Sequence, residues 1–402
     1  MNALAQIASE LPRLTNAMSL ATQWLLDKSQ VQTQRLGEND GNSKGHPYTN
    51  WRGAFRGEYS AAKREWNFVC PIWHGGQAIK TLVAAYEVAG GPHLLNAARL
   101  GADFLLRNQL TDGPDSGLLL AYENRPDAVN SSAVLESLDG LLMLSRITTH
   151  TIYRDAAVRA ARWLRDRAWR RGEGLVLDMY LIENRTFLDR SFDLEANSRP
   201  LADDAIWLKM YQLTGETAFR DLFYEVLQRL LRDERPPGNW IDYEPCSPDQ
   251  GWIHPRQAYW WGWPMIAAWR HSHEQRWLSA AIRSGERYLH AQRKDGGLFR
   301  HTYLDFNTRS FSHATSGTLC AAILWMNLFQ ETHETRWLEP IFRSMKYALS
   351  LQFTAPSDSN LLGCILERLV PPDGTDRSPY HIRDLGTIFF IQAAAKLLKE
   401  SQ

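Results

Sequence analysis

Apolar residues recur at three- and four-residue spacing along most of the chain, the period of amphipathic helices. Stretches with this spacing cover residues 2–27, 76–89, 93–109, 132–147, 152–169, 202–213, 217–232, 258–271, 275–292, 315–330, 335–352 and 386–400. These twelve segments predict six successive helix pairs. The two members of a pair differ. One is amphipathic and sets Ala and Arg ahead of a bulky apolar step, as in Ala97-Ala98-Arg99 before Phe104-Leu105, Ala160-Ala161-Arg162 before Trp163-Leu164, and Arg283 before Tyr288-Leu289. The other is nearly uncharged, as in AVLESLDGLLML, GTLCAAILWMNLF and TIFFIQAAAKLL. A helix that is apolar on most sides must be covered on most sides, so the second kind is expected inside and the first outside.

Short Gly-containing segments with strand-like residues behind them follow most outer helices, at 115–122, 173–180, 238–243 and 295–303. A degenerate period of 50–75 residues made of helix, turn, hairpin and helix is the signature of a repeat architecture. The expected fold is all-α, an (α/α)6 toroid with short β-hairpins at the funnel end. An open solenoid would need polar capping repeats at both ends, yet the last helix, Gly386-Thr-Ile-Phe-Phe-Ile-Gln-Ala-Ala-Ala, is as apolar as the central ones. The ring is therefore expected to close. No Pro/Ser/Gly linker divides the chain, so residues 1–402 are expected to form a single domain. The segment 28–72 lacks periodicity but is rich in aromatics and Arg; it reads as an arm over the mouth of the ring, with Trp51, Arg52 and Arg56 in its wall.

Composition narrows the function by exclusion. Forty-five basic side chains balance forty-five acidic ones, which leaves no cationic excess for a nucleic acid or an anionic membrane surface. No apolar run approaches the ~20 residues of a membrane span. The start MNALAQIASELPRL has no basic region, unbroken apolar stretch or cleavage site and does not read as a secretory signal. The cysteines Cys70, Cys246, Cys320 and Cys364 are far apart, with no CxxC spacing, so neither disulfides nor structural zinc are expected. A cytoplasmic protein is expected; association into a homo-oligomer is left open.

In a toroid the loops preceding the inner helices surround one funnel, into which the inner N-termini point their partly positive N–H groups. Function is therefore read from those loops and first turns. They hold Trp73 and His74; Asn130; Asp203 and Asp204; His254, Arg256, Gln257, Tyr259 and Trp260; His313 and Ser316; and Tyr380, His381 and Arg383. Four of these loops carry a His, from twelve in the chain. Acids, imidazoles, guanidinium groups and indoles converging on a funnel suit an oligosaccharide, because indole faces stack on sugar CH surfaces while polar edges bond hydroxyls. Adjacent Asp203 and Asp204 would repel, raising one pKa and suiting it to proton donation. Asp203, Asp204, His254, His313 and His381 are thus the expected catalytic groups, and Trp73, His74, Asn130, Arg256, Gln257, Tyr259, Trp260, Ser316, Tyr380 and Arg383 the expected substrate-binding ones. The one HxH pair, His271-Ser272-His273, lies at the far end of a helical stretch, and the funnel loops hold no HxH or HxxxH pair, so no metal site and no cofactor are expected.

These residues also carry a resemblance. Leu201-Ala-Asp-Asp-Ala-Ile-Trp-Leu-Lys-Met-Tyr-Gln-Leu-Thr-Gly-Glu-Thr-Ala-Phe-Arg-Asp resembles the Asp-bearing inner helix of unsaturated glucuronyl and rhamnogalacturonyl hydrolases. His254-Pro-Arg-Gln-Ala-Tyr-Trp-Trp-Gly-Trp is similar to their Trp-rich helix start, and His313-Ala-Thr-Ser-Gly-Thr-Leu to their Thr/Ser-Ser-Gly motif. The three occur in the family's order over roughly residues 200–325. The resemblance implies a glycoside hydrolase acting on unsaturated uronides, with Asp203 at the Asp position that protonates the double bond and activates water. It also implies that Arg256, His254 or Arg383 pairs with the uronate carboxylate. One departure stands out: the family's further Asp at an earlier inner helix is replaced by Val129-Asn130-Ser131-Ser132, and Asp139 lies two turns deeper. A polysaccharide lyase or sugar epimerase, abstracting a proton through His254, His313, His381 or Tyr380, and a non-catalytic glycan binder are the alternatives on the same fold.

Overall fold

The computed structural model describes residues 3–123, 125–188, 198–306, 314–367 and 381–401. His313 and Tyr380 lie outside them. Among the described residues there are twelve α-helices: α1 (Ala3–Trp24), α2 (Pro71–Ala89), α3 (Pro92–Arg107), α4 (Ser131–Thr148), α5 (Thr151–Ala168), α6 (Ile206–Thr214), α7 (Thr217–Arg232), α8 (Trp263–Ser272), α9 (Gln275–Ala291), α10 (Thr315–Thr332), α11 (Leu338–Ser350) and α12 (Leu385–Glu400). A 3₁₀ turn, Asp203–Ala205, opens α6, and a π-helical turn, Ala258–Gly262, opens α8. The periodicity located each rod to within a few residues, with one larger difference. Helix α2 starts at Pro71 rather than 76, because Pro at the first position lacks only an N–H that a helix start leaves unused. That extra turn brings Trp73 and His74 onto the helix.

Even-numbered helices form an inner ring, each packing on the next, with α12 returning to α2. Helices α10 and α12 are buried on nearly every side, whereas α9 buries one stripe, from Trp277 through Ala281 to Tyr288. At the seam, Gln392 Nε2 on α12 donates to Gln77 Oε1 and Thr81 Oγ1 on α2 (3.2 and 3.0 Å).

The outer ring is held by one contact repeated six times. After each odd helix the chain turns at a glycine, and that glycine lies against a backbone carbonyl of the next odd helix: Gly53 on Leu100, Gly117 on Arg159, Gly174 on Glu225, Gly238 on Arg283, Gly296 on Arg343 and Gly363 on Leu20. All six have φ between +67° and +102°, and a Cβ at any of them would stand closer than 3.0 Å to that carbonyl oxygen. Only glycine meets both demands. The sixth contact joins the turn after α11 to α1, so the first and last outer helices are neighbours. A glutamine reinforces several joints. Gln109 Nε2 donates to Gly117 O and Ala156 O (2.8 and 2.9 Å), Gln292 Nε2 to Gly296 O and Pro340 O (3.1 and 3.0 Å), and Gln352 Nε2 to Gly363 O and Ala17 O (3.1 and 2.8 Å).

Small antiparallel sheets occupy the funnel end. Strands β1 (Glu58–Ser60) and β2 (Glu65–Asn67) form a hairpin in the segment after α1. The pairs β3 (Ala128–Asn130) with β6 (Met179–Leu181), and β5 (Leu175–Leu177) with β8 (Ser198–Arg199), bracket the loops before α4 and α6. Between these, β4 (Trp169–Arg170) pairs with β5 and β7 (Thr186–Phe187) with β6, while β9 (Trp252–Ile253) pairs with β10 (Thr302–Tyr303). Strand β11 (His381–Arg383) adds to β1, with Glu58 opposite Arg383 and Ser60 opposite His381. The arm is thereby stitched to the loop before α12. The expected wall residues of the arm do not reach the funnel. Trp51 is buried against Phe68 and Tyr48, and Arg56 grips Asp40 through Nε and Nη2 (2.5 and 2.9 Å). Arg52 lends its carbonyl to Arg107. Among the described residues no helix is long and apolar enough to cross a membrane.

Replacing Gly296 or Gly363 by Ala is expected to destabilise the protein by about 2 kcal/mol or more, since strained φ and a backbone clash add. Equilibrium urea denaturation of each variant measures this; a change within about 0.5 kcal/mol, as at an ordinary surface site, would contradict the joint.

Candidate functional site

The funnel narrows to a cavity of about 210 Å³. Its wall includes Trp73 and His74 from the first turn of α2, Asn130 and Glu136 from β3 and α4, and Arg256 and Trp260 from the start of α8. Asp178, Arg199, Glu123, Glu244, Arg300 and Arg383 come from the intervening loops and strands.

Glu136 is the most unusual group. It sits two turns into an apolar helix, is buried, and accepts hydrogen bonds from Trp73 Nε1 (2.5 Å) and Trp260 Nε1 (3.2 Å). Burial pushes its carboxyl up to about 7, against the partial relief given by Arg256. The Arg256 guanidinium lies over the rings of the same two indoles, 5.5 Å from Trp73 and 5.0 Å from Trp260. Its Nε and Nη1 have no partner among the described residues. A cation clamped on two aromatic faces with unused donors is prepared for an anionic or multiply accepting ligand.

Opposing it, His74 Nδ1 lies 2.6 Å from Asp384 Oδ1, both side chains fully enclosed, and His74 Nε2 is unpartnered. A carboxylate on Nδ1 sets the tautomer that leaves Nε2 a base. On a third side Asp178 caps α4. Its Oδ1 accepts from the amide and hydroxyl of Ser132 (3.0 and 2.9 Å), and its Oδ2 from Arg199 Nη2 (2.7 Å). The start of α10 is built alike: Ser316 N and Oγ donate to Glu367 (2.8 and 2.6 Å).

Six of the expected substrate-binding residues line this cavity: Trp73, His74, Asn130, Arg256, Trp260 and Arg383. Others do not. Ser316 is spent on Glu367, and Gln257 is buried between Trp240 O and Cys246 Sγ (2.8 and 2.7 Å). Tyr259 faces a second cavity, also about 210 Å³, enclosed by the inner helices deeper along the ring.

The described members of the expected catalytic set do not assemble there, and His313 lies outside the described residues. Asp204 lines the deeper cavity, bonded to Lys80 Nζ (2.5 Å) and Tyr259 Oη (2.6 Å). Asp203 is buried outside the cavity wall. Burial, and then the charge of Glu136, raise its carboxyl well above the usual range. His254 is a support: buried, it accepts the Arg256 amide on Nδ1 (3.1 Å) and packs against Trp260. His381 is half-exposed on β11, 3.7 Å from Glu58. The physical reason is that adjacent residues at a tight turn point apart, so Asp203 and Asp204 cannot share one pocket. Asp139 pairs with Lys80 and Lys209 in the deeper cavity (3.2 and 2.5 Å).

Sequence reasoning missed Glu136, Asp178 and Glu123. Glu136 carried a usable signal, as the first acid within the apolar stretch AVLESLDG. Asp178 and Glu123 come from hairpin and loop positions whose destination only the folded ring decides.

No protein-family model matches the sequence, and no curated protein does. Solved structures do match. Cellobiose 2-epimerase from Spirochaeta thermophila superposes with a TM-score of 0.71 at 13% identity, covering 98% of both chains. A sugar epimerase from a ruminal bacterium gives 0.70 at 13% identity, covering 98% of this chain and 99% of that one. An unsaturated glucuronyl hydrolase specific for heparin gives 0.67 at 13% identity, covering 96% and 97%. At such identities the likeness is one of fold: the chain has the six-hairpin (α/α)6 barrel, as its sequence repeat implied.

Because the protonated carboxyl is favoured in the folded protein, Glu136 stabilises it least at high pH. Between about 4.5 and about 7 the unfolded chain has released this proton while the folded one holds it, so stability falls as pH rises through that window and is level above it. In Glu136→Gln this component, on the order of 2–3 kcal/mol, is expected to vanish from the difference between urea unfolding at pH 5 and pH 8. An identical pH dependence in both proteins would refute the assignment.

Proposed function

We propose that the chain is a carbohydrate-active enzyme, a glycoside hydrolase acting on uronic-acid-containing oligosaccharides, in which Glu136 moves the proton. The observation that carries this reading is the pairing of Glu136, whose carboxyl is pushed up to about 7, with Arg256, whose guanidinium is stacked and whose Nε and Nη1 have no partner among the described residues. The first is a general acid with the right poise; the second suits a sugar carboxylate. Asp203, the position matched by the resemblance, stands beside Glu136, and burial together with the charge of Glu136 keeps its own carboxyl protonated. On an unsaturated uronide, Glu136 gives its proton to one carbon of the C4=C5 bond and water adds at the other. The carboxylate then recovers a proton from that water, and the hydrated sugar opens and releases its aglycone. Fold neighbours include unsaturated glucuronyl hydrolases, which supports the class without specifying the sugar.

A second reading has its own observation. His74, held by Asp384, lines the same cavity, and its buried Nε2 has no hydrogen-bond partner among the described residues. Such a base removes the proton next to a sugar carbonyl, as an epimerase requires, and epimerases are among the fold neighbours.

Lyase-generated unsaturated disaccharides, followed by loss of absorbance near 235 nm, test the first reading. Turnover is expected, with kcat reduced roughly 10²- to 10⁴-fold in Glu136→Gln. Arg256→Lys should raise KM roughly tenfold or more for the uronide, since a bidentate site is lost. Deuterium uptake from heavy water into an intact sugar, abolished in His74→Gln, would instead establish the epimerase. Neither activity, together with sugar-dependent thermal stabilisation, would leave a binder.

A further inference from the structure

Beneath the cavity floor runs a chain of bonds that the proposed chemistry does not use. It starts at a strained turn. Asp204 (φ 52°, ψ 15°) and Ala205 (φ 52°, ψ 35°) are consecutive non-glycine residues in the left-handed region, a costly conformation that persists where the surroundings impose it. A plain helix cap needs no such turn. Its effect is to separate the two carboxyls: Asp203 stays among the charges of Glu136 and Arg199, while Asp204 is turned to the deeper cavity.

There both oxygens of Asp204 accept, Oδ1 from Lys80 and Oδ2 from the Tyr259 hydroxyl (2.5 and 2.6 Å). Burial opposes the charge on Lys80, but Asp204 and Asp139 outweigh it and hold the ammonium charged; Lys209 completes the cluster on Asp139. With its proton committed to Asp204, Tyr259 Oη is an acceptor for Gln77 Nε2 (2.9 Å). Gln77 Nε2 also donates to the backbone carbonyl of Glu136 (2.7 Å), and Gln77 Oε1 is occupied by Gln392. Every donor in the series has one direction available.

We propose that Lys80, Asp204, Tyr259 and Gln77 form a positioning relay, in which Lys80 fixes a negative charge on Asp204 and Tyr259 and Gln77 carry that anchor to the turn of α4 holding Glu136. This rests on the reading of Glu136 as the proton donor. The charged and titratable groups facing Asp204 are Lys80, Asp139, Lys209, Asp203 and Tyr259; those facing Glu136 are Arg256, Glu123, Arg199 and Asp203. Removing the charge of Asp204 therefore takes one negative charge from beside Asp203, whereas removing the Tyr259 hydroxyl breaks the relay at constant charge.

The test compares Asp204→Asn and Tyr259→Phe with wild type, using carbon-13 NMR of labelled Glu136 and steady-state kinetics on the unsaturated disaccharide. Wild-type Glu136 should titrate near 7. In Asp204→Asn, labelled likewise at Asp203, the Asp203 midpoint should fall, as expected for loss of a nearby like charge. In Tyr259→Phe it should stay put while kcat drops roughly 10- to 100-fold at similar KM, the cost of a misplaced acid. An unmoved midpoint in Asp204→Asn, or full kcat in Tyr259→Phe, overturns the relay. Full activity of Glu136→Gln would overturn the reading of Glu136 instead, and the NMR midpoint would still decide whether Asp204 acts on Asp203.

Discussion

The approach of a glycine to the next outer helix's carbonyl is the constraint on which the rest depends. Six such joints set the spacing of the outer rods and hence the circumference of the ring. The inner helices then have no choice but to face one another, and burial of their apolar sides follows. The joint between Gly363 and Leu20 matters most, because it brings sequence-distant ends together and makes the ring a closed one. With no free ends to cap, apolar helices such as α12 are tolerated next to α2.

Closure also creates the chemical environment. Six inner helices begin at one end of a narrow ring, so the side chains of their first turns are driven into a small, mostly dry volume. A carboxyl there is costly in its charged form, and Glu136 answers by holding its proton while two indoles bond to it. A guanidinium there requires compensation, and Arg256 receives it from the faces of the same indoles. The tryptophans thus do two tasks, solvating an acid at their edges and a cation on their faces.

Deeper along the ring the same crowding is resolved by pairing. Lys80, Lys209, Asp139 and Asp204 neutralise one another, so charge is kept on that side and protons on the other. The boundary between the two regimes is the left-handed turn at Asp204 and Ala205, where backbone strain separates carboxyls that are neighbours in sequence.

The repeat, its twelve rods and the distinction of outer from inner were legible because helical periodicity and net polarity are local properties, written within each helical segment. The glycines after outer helices were visible as punctuation, although not as joints. Half of the site was legible for the same reason: Trp73, His74, Asn130, Arg256, Trp260 and Arg383 flank inner helix starts, and closure sends helix starts to the funnel. Direction was not legible. Whether Asp203, Asp204, Tyr259, His254 or Gln257 meets the cavity depends on the rotation of a turn, and that rotation is decided by partners on other segments, Lys80, Trp240 and Cys246 among them. The sequence by itself determined which residues arrive at the ring's centre. Only the tertiary structure decided which of them share a wall, because side-chain direction at a helix start is set by contacts with other segments of the fold, such as that of Asp204 with Lys80.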